Sequence, residues 1–313
     1  MLKLAELDIR DAFFDEIYRI AAADKNVVFL TGDMDAFSLR KFKQDFPSRF
    51  INTGVAEQNM ICVASGLAAC GKKVFVYGIN TFVSMRCFEQ IKINICSMNL
   101  PVVIIGAGAG FSFGFDGPTH HGTQDVAVMR ALPEMEIWNL ADAGIAAACA
   151  KLAAKTTHPM YIRLDKGKFP DFYQPEENIS AGFKLLKPLQ KINLVSTGFM
   201  TQQAMQTAQA LELQSVSVGV VDVSRLKPLN QDLIKQLIAS SHKIFTLEEH
   251  CLTGGLGSIL NDALASHKNS ITLERLAIPD LQFLAYGSRE WFHQSNGLDV
   301  QSITNRIQKL ISR

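Results

Sequence analysis

The chain reads as an α/β protein made of two consecutive parallel-sheet domains. Three observations predict this. It has 313 residues, about two domains' worth, and 48 % of them are apolar, enough for large buried cores. Short apolar runs of strand length alternate with segments of helical periodicity, the pattern of a parallel sheet covered on both faces. Between residues 165 and 190, Lys, Pro, Gly, Asp and Asn interrupt that pattern, and it then begins again. The boundaries that follow are 1–175 for the first domain, 176–189 for a linker and 190–313 for the second domain.

Each element has its own reason. Residues 5–23 form a helix because Ile9, Phe13, Ile17 and Ile20 fall on one stripe. Val27–Leu30 is a short buried-strand pattern, and a helical segment at 39–46 stops before Pro47. The apolar pair Phe50 and Ile51 precedes a helical stretch that opens at Gly54 and runs to about Ala69. Strand-like runs recur at Val74–Tyr77, Val102–Ile105, Glu136–Asn139 and Met160–Leu164, with helices expected at 81–98, 123–131 and 142–155. In the second unit, Ile192–Ser196, Val216–Val223, Lys243–Leu247 and Ile271–Ile278 read as strands, with helices near 201–213, 230–240 and 254–266.

Composition excludes several function classes. A net charge of +1 gives no electrostatic case for nucleic acid or an anionic membrane. Met1 to Arg10 alternates apolar and charged residues, unlike a signal peptide, and the apolar run Gly144–Ala154 is too short to span a bilayer and contains Lys151. Cys62, Cys70, Cys87, Cys96, Cys149 and Cys251 are scattered without a C-x-x-C pair, so reduced thiols and a cytoplasmic location are expected. No P-loop, H-E-x-x-H or zinc spacing occurs, and Gly106-x-Gly108-x-Gly110 lacks the dinucleotide fingerprint. Glu249-His250-Cys251 could suggest a thiol nucleophile, but adjacent side chains rarely meet in working geometry.

Three runs could carry chemistry. Gly54-Val55-Ala56-Glu57-Gln58-Asn59 puts one acid at a strand-to-helix corner, where a sheet offers its crevice to a ligand. Glu57 there is either a partner for the helix dipole or a functional carboxyl group. Phe82 and Arg86 sit in a helical stretch, where an aromatic is ordinarily core. Asp116 and His120 lie in the Gly-rich run 106–122, as an Asx-type turn with a surface His or as a pair that moves protons and holds hydroxyls.

The run Asn52 to Met60, together with Asp116-Gly117-Pro118-Thr119-His120, Gln124-Asp125 and Met129-Arg130 before Leu132-Pro133, resembles the thiamine-diphosphate enzymes of the transketolase group. Glu248-Glu249-His250 followed by Gly254-Gly255-Leu256-Gly257 is similar to their C-terminal domain. The resemblance covers nearly the whole chain, but only the later part of a full transketolase: the pyrimidine-binding and C-terminal domains. It implies thiamine diphosphate as cofactor, with Glu57 as the catalytic carboxyl group on the cofactor's pyrimidine ring, Phe82 as its aromatic contact and Arg86 as a nearby polar one. It also implies that Asp116 and His120 contact the hydroxyl and carbonyl end of a sugar, His120 with a catalytic share. His121 is expected to point elsewhere.

Two departures bear on the substrate. A sugar-phosphate transketolase commonly has a His where Gly108 stands, and an Arg for substrate phosphate where Lys166 stands beside Asp165. Lys is a point charge without the bidentate fork of Arg. Both point to an atypical sugar. The diphosphate and Mg²⁺ motif is also missing: Gly32-Asp33-Met34 is not G-D-G, and the sequence offers no metal-ligand set. The resemblance therefore implies half of a split enzyme, an α2β2 assembly whose other chain supplies the diphosphate and Mg²⁺ site. It would transfer a two-carbon ketol unit from a ketose to an aldehyde. The alternative is a β-type subunit of a 2-oxoacid dehydrogenase or acetoin-cleaving complex, in which D-G-P-T-H with Q-D and M-R is not expected. A non-catalytic protein that kept the fold is the third reading, and intact Glu57, Asp116 and His120 argue against it.

Overall fold

The computed structural model describes residues 6–311. Helix α1 (Ile9–Ala23) is started by Asp8, whose side chain accepts from the Arg10 amide; residue 5, placed in this helix by the sequence, lies outside the described residues. The chain continues through β1 (Val27–Thr31), α2 (Phe37–Asp45), β2 (Phe50–Asn52), α3 (Glu57–Ala69) and β3 (Lys73–Ile79). A helical passage centred on the short α4 (Phe88–Gln90) leads to β4 (Val102–Ala107), α5 (Asp125–Arg130), β5 (Glu136–Asn139), α6 (Ala143–Ala153) and β6 (Met160–Leu164). The second unit runs β7 (Phe183–Lys187), β8 (Ile192–Ser196), α7 (Met200–Glu212), β9 (Gly219–Val223), β10 (Arg225–Lys227), α8 (Gln231–Ser240), β11 (Lys243–Cys251), α9 (Leu256–Ala265), β12 (Thr272–Ile278), α10 (Arg289–Asn296) and α11 (Val300–Ile311).

Two sheets result, one of seven strands in the order β10-β5-β6-β4-β3-β1-β2 and one of five in the order β12-β11-β8-β9-β7. Both are parallel except for one antiparallel edge strand each, β10 against β5 and β7 against β9. β1, β4 and β6 are buried along their whole length, which is why their sequences are apolar runs, interrupted only by Thr31 and Arg163, rather than alternations. α1 and α6 cover one face of the first sheet, over an aromatic cluster that includes Phe13, Phe14, Phe29, Phe75 and Tyr77. Each such side chain, fully buried, contributes about 1.5–3 kcal/mol of hydrophobic stabilisation.

Several details differ from the sequence reading. Residues 183–187, inside the stretch expected as linker, form β7. The helix expected over 81–98 is instead a short α-turn between two wide π-type turns, Phe82–Arg86 and Ile91–Cys96. β10 comes from the second unit yet pairs with β5 of the first, Arg225 opposite Trp138. Helices α10 and α11 are additional. Ser288 caps α10, accepting from the Trp291 amide, and Gly297 ends it in the left-handed region. Among the described residues, no helix is long and apolar enough to cross a membrane.

Candidate active site

β2, β1, β3, β4 and β6 are adjacent parallel strands, so their carboxyl ends share one edge of the first sheet, the usual place for a ligand in a parallel sheet. The corner after β2 is built by Asn52. Its Oδ1 accepts from the amides of Gly54 (2.9 Å) and Asp33 (3.1 Å), and its Nδ2 donates to Asp33 Oδ1 at 3.0 Å. Gly54, at φ +68°, makes the turn that an L side chain would resist. The chain then enters α3 with Glu57 in its first turn.

Glu57 is 3 % exposed. It does not cap its own helix: Oε2 accepts from Arg86 Nη1 at 2.6 Å. Gly32, which follows β1, lies beside it: a Cβ there would stand 3.6 Å from Oε1, at ordinary contact distance. Arg86 in turn stacks its guanidinium 4.3 Å from the centroid of Phe82. The Phe82 ring meets His120 edge-on, centroids 5.2 Å apart. His120 Nδ1 is 2.9 Å from Thr119 Oγ1, and Thr81 Oγ1 donates to the Thr119 carbonyl at 2.6 Å, tying the 117–120 turn to the element that carries Phe82. The fold thus brings Glu57, Arg86, Phe82 and His120 into one contact series.

Asp116 and Lys166 stand apart from that series. Asp116 is exposed at the end of the turn Gly114–Asp116, and among the described residues its carboxylate has no hydrogen bond to His120. Lys166 is exposed, with Nζ 5.7 Å from the centroid of Phe113. Asp165, its neighbour in sequence, is engaged elsewhere. It is buried and turned the other way, 2.6 Å from Arg289 Nη2, while its Oδ1 accepts from the Lys166 amide. His121 does point away: it is buried against Phe111 and Phe292, and burial pushes its pKa below the ordinary imidazole range.

A buried charge network holds the site against the second unit. Asp125 accepts from Asn80 (2.9 Å), Tyr161 (2.8 Å) and Arg163 (3.0 Å). Burial opposes its ionisation, but Arg163, with His250, Asn80 and Tyr161, outweighs burial and holds the carboxyl below the ordinary range. Arg163 also donates to the carbonyls of Gly122 and Glu249. Arg289 bridges Glu249 (2.5 Å) and Asp165 (2.6 Å), and Glu249 takes a further bond from His293 at 2.7 Å. Glu249 is buried, yet Arg289 and His293 hold it well below the carboxylate range. Glu248 instead accepts from the Leu256 and Gly257 amides at the start of α9.

The remaining motifs form no second site. The Cys251 thiol is pushed up by burial and donates to the Thr253 carbonyl. His250 is pushed down to about 4 by burial, with Nε2 accepting from the Ala127 amide. Among the described residues no group of three or more His, Cys, Asp and Glu side chains could hold a metal ion. Sequence reasoning missed Gly32, Thr119, Phe113 and Arg289. Only Arg163, a lone charge inside the strand run Met160–Leu164, carried a visible signal of a buried ion pair.

The model of the transketolase pyrimidine binding domain matches residues 5–171, and that of the transketolase C-terminal domain matches residues 182–303. The chain is 30 % identical over 307 residues to an apulose-4-phosphate transketolase subunit of Phocaeicola vulgatus, covering 97 % of each protein. It is 29 % identical to the 6-deoxy-6-sulfo-D-fructose transketolase subunit SqwH of Clostridium sp., over 100 % of this chain and 97 % of that one. It is 30 % identical over 99 % of its length to the 1-deoxy-D-xylulose-5-phosphate synthase of Clostridium perfringens, of which it spans 50 %. A solved structure described as a split gene transketolase, inactive beta4 tetramer, superposes with a TM-score of 0.86 at 30 % identity over 97 % of both chains. The protein belongs to the transketolase family and carries its pyrimidine-binding and C-terminal domains.

Proposed function

We propose that this chain is the pyrimidine-binding subunit of a split, thiamine-diphosphate-dependent transketolase acting on an atypical sugar. The observation that carries the reading is Glu57: a buried carboxylate at the carboxyl end of a parallel sheet, oriented by Arg86 and joined through Phe82 to His120. These residues fit the cofactor's pyrimidine ring. Glu57 offers a buried carboxylate, and Phe82 offers an aromatic ring between Arg86 and His120.

Thiamine diphosphate, when bound, supplies the carbon nucleophile and the electron sink for breaking the carbon–carbon bond of a ketose. The chain's own residues do the rest. Glu57 would share a proton with the pyrimidine ring nitrogen, through a carboxyl group that Arg86 holds in place. Phe82 would pack against that ring and keep water from the shared proton. His120, held at Nδ1 by Thr119, presents Nε2 to the carbonyl and hydroxyl oxygens of the reacting end. Asp116 holds a sugar hydroxyl from the turn before it. Lys166 faces the far end of the substrate.

The diphosphate and Mg²⁺ are held by a partner chain in this reading, since Mg²⁺ favours oxygen ligands that this chain does not assemble among its described residues. Two copies of each chain would form an α2β2 assembly. Residues 1–175 supply the cofactor and substrate side chains. Residues 190–313 brace them through Arg289 and Glu249, and 176–189 carries β7 across. The relatives named for an apulose phosphate and a sulfofructose support an atypical sugar. The related chain described as an inactive tetramer supports the need for a partner.

The test is donor chemistry in the complex of this chain with its partner. Hydroxypyruvate and an aldehyde should give the ketol product, and pyruvate should give negligible turnover. Efficient pyruvate decarboxylation without ketol transfer would move the assignment to the 2-oxoacid class or to the deoxyxylulose-phosphate synthases.

A further inference from the structure

Beyond His120 stands the aromatic side chain of Phe113. Gly108 follows β4 at φ +90°, and a Cβ there would lie 2.2 Å from Cδ2 and 2.4 Å from Cε2 of Phe113. The Phe113 ring therefore occupies the volume that a side chain at 108 would take. Backbone and space both bar residue 108 from reaching a substrate. The same ring stands edge-on to His120, centroids 6.3 Å apart, and carries Lys166 Nζ 5.7 Å from its centroid. From the cofactor end outward, the contacts run Phe82, His120, Phe113, Lys166.

The ring is not free to withdraw. It packs against the aromatic cluster under the first sheet. Arg289 ties together the segments carrying residues 109 and 165, donating to the Ala109 carbonyl at 3.4 Å and to the Asp165 carboxylate, next to Lys166, at 2.6 Å. A long hydroxylated tail would have to lay its hydroxyls on this apolar surface and lose their water without compensation.

We infer that Phe113 is a specificity-determining residue that ends the acceptor site shortly beyond the reacting carbonyl, so that the enzyme takes compact anionic aldehydes, read by Lys166, over extended pentose phosphates. This rests on the ketol-transfer reading above. Leu or Ala at position 113 should reopen the tail space, whereas Gly108→His cannot, because its side chain has nowhere to go.

The experiment uses the assembled complex with hydroxypyruvate as donor and three acceptors: glycolaldehyde, glyceraldehyde 3-phosphate and ribose 5-phosphate. The wild type should favour the triose phosphate over ribose 5-phosphate by about tenfold or more in kcat/KM. Phe113→Ala should shrink that ratio by about tenfold, and Phe113→Leu by less, because Leu keeps the core filled. Lys166→Gln should lower triose-phosphate use by about tenfold relative to glycolaldehyde. The inference fails if Phe113→Leu folds, still turns over glycolaldehyde, and keeps the wild-type acceptor ratio. It also fails if the wild type uses ribose 5-phosphate as well as the triose phosphate. No transfer even to glycolaldehyde would refute the ketol-transfer reading itself, and the inference with it.

Discussion

Replacing Glu57 with Gln removes one proton-sharing group and little else. The side chain keeps its length and an acceptor oxygen toward Arg86, 2.6 Å away in the native pair. Breaking a fully buried ion pair costs about 3–5 kcal/mol. Here the Arg86 side chain is 42 % exposed and can turn to water, so the stability cost falls to about 1–2 kcal/mol. That lowers the unfolding midpoint by about 2–8 °C. Function should suffer far more. A positioned acid–base group contributes about a hundred- to ten-thousandfold, or about 3–5 kcal/mol of barrier. The assay is the rate at which the thiazolium C2 proton of bound cofactor exchanges with deuterium in the assembled complex, followed by quenched-flow NMR. A variant that folds and exchanges within about twofold of the wild type would remove Glu57 from the role assigned to it, because the expected loss is at least about a hundredfold.

Two further outcomes follow from the buried charges. Arg289→Gln takes the cation from Asp165 and leaves Glu249 with His293 alone, each carboxylate side chain being 2 % exposed, and should cost about 3–5 kcal/mol in denaturant unfolding. Arg289→Lys should recover part of this, since it restores charge without the fork, and an unchanged midpoint in Arg289→Gln would show that the clasp carries no stability. Asp222, fully buried with Thr201 and Tyr173 donating to it at 2.6 and 2.7 Å, is pushed up to about 7 by burial. A carboxyl group raised in the folded state stabilises most below its unfolded pKa, and that share is lost as pH rises toward about 7, with a slope approaching about 1.4 kcal/mol per pH unit. Asp222→Asn should flatten part of the fall in melting midpoint between about pH 5 and pH 8. A remainder should persist, because burial also pushes Glu248 up to about 7. An identical pH profile in Asp222→Asn would remove this carboxyl group as a cause.

What the sequence makes legible here is what local pattern controls. Strands such as Val27–Thr31 and Met160–Leu164 announce themselves because a doubly covered parallel strand must be apolar on both faces. The Glu57 corner is legible because its turn chemistry is contiguous: Asn52, Gly54 and Glu57 lie within six residues. β10 is hidden because three polar-flanked residues gain their pairing from Trp138 and Ile137, far away in sequence. The passage 81–98 has helical composition throughout, and nothing local marks its π-type turns, the first of which carries Phe82 and Arg86. Arg289 was invisible for the same reason as β10: its partners Asp165 and Glu249 are 124 and 40 residues away. The Gly108 departure was visible, but not its cause, because only the fold brings the Phe113 ring onto it.

In the proposed function, ketol transfer needs Glu57 from this chain and the diphosphate site from another. The decisive measurement is a titration of the purified chain with its partner, in the presence of thiamine diphosphate, Mg²⁺, hydroxypyruvate and glycolaldehyde. Neither chain alone should turn over substrate. Activity should rise to a plateau at equal amounts of the two chains, and should not rise when Glu57→Gln replaces the wild type. Turnover by this chain alone, shown to be free of partner, would overturn the split-enzyme reading.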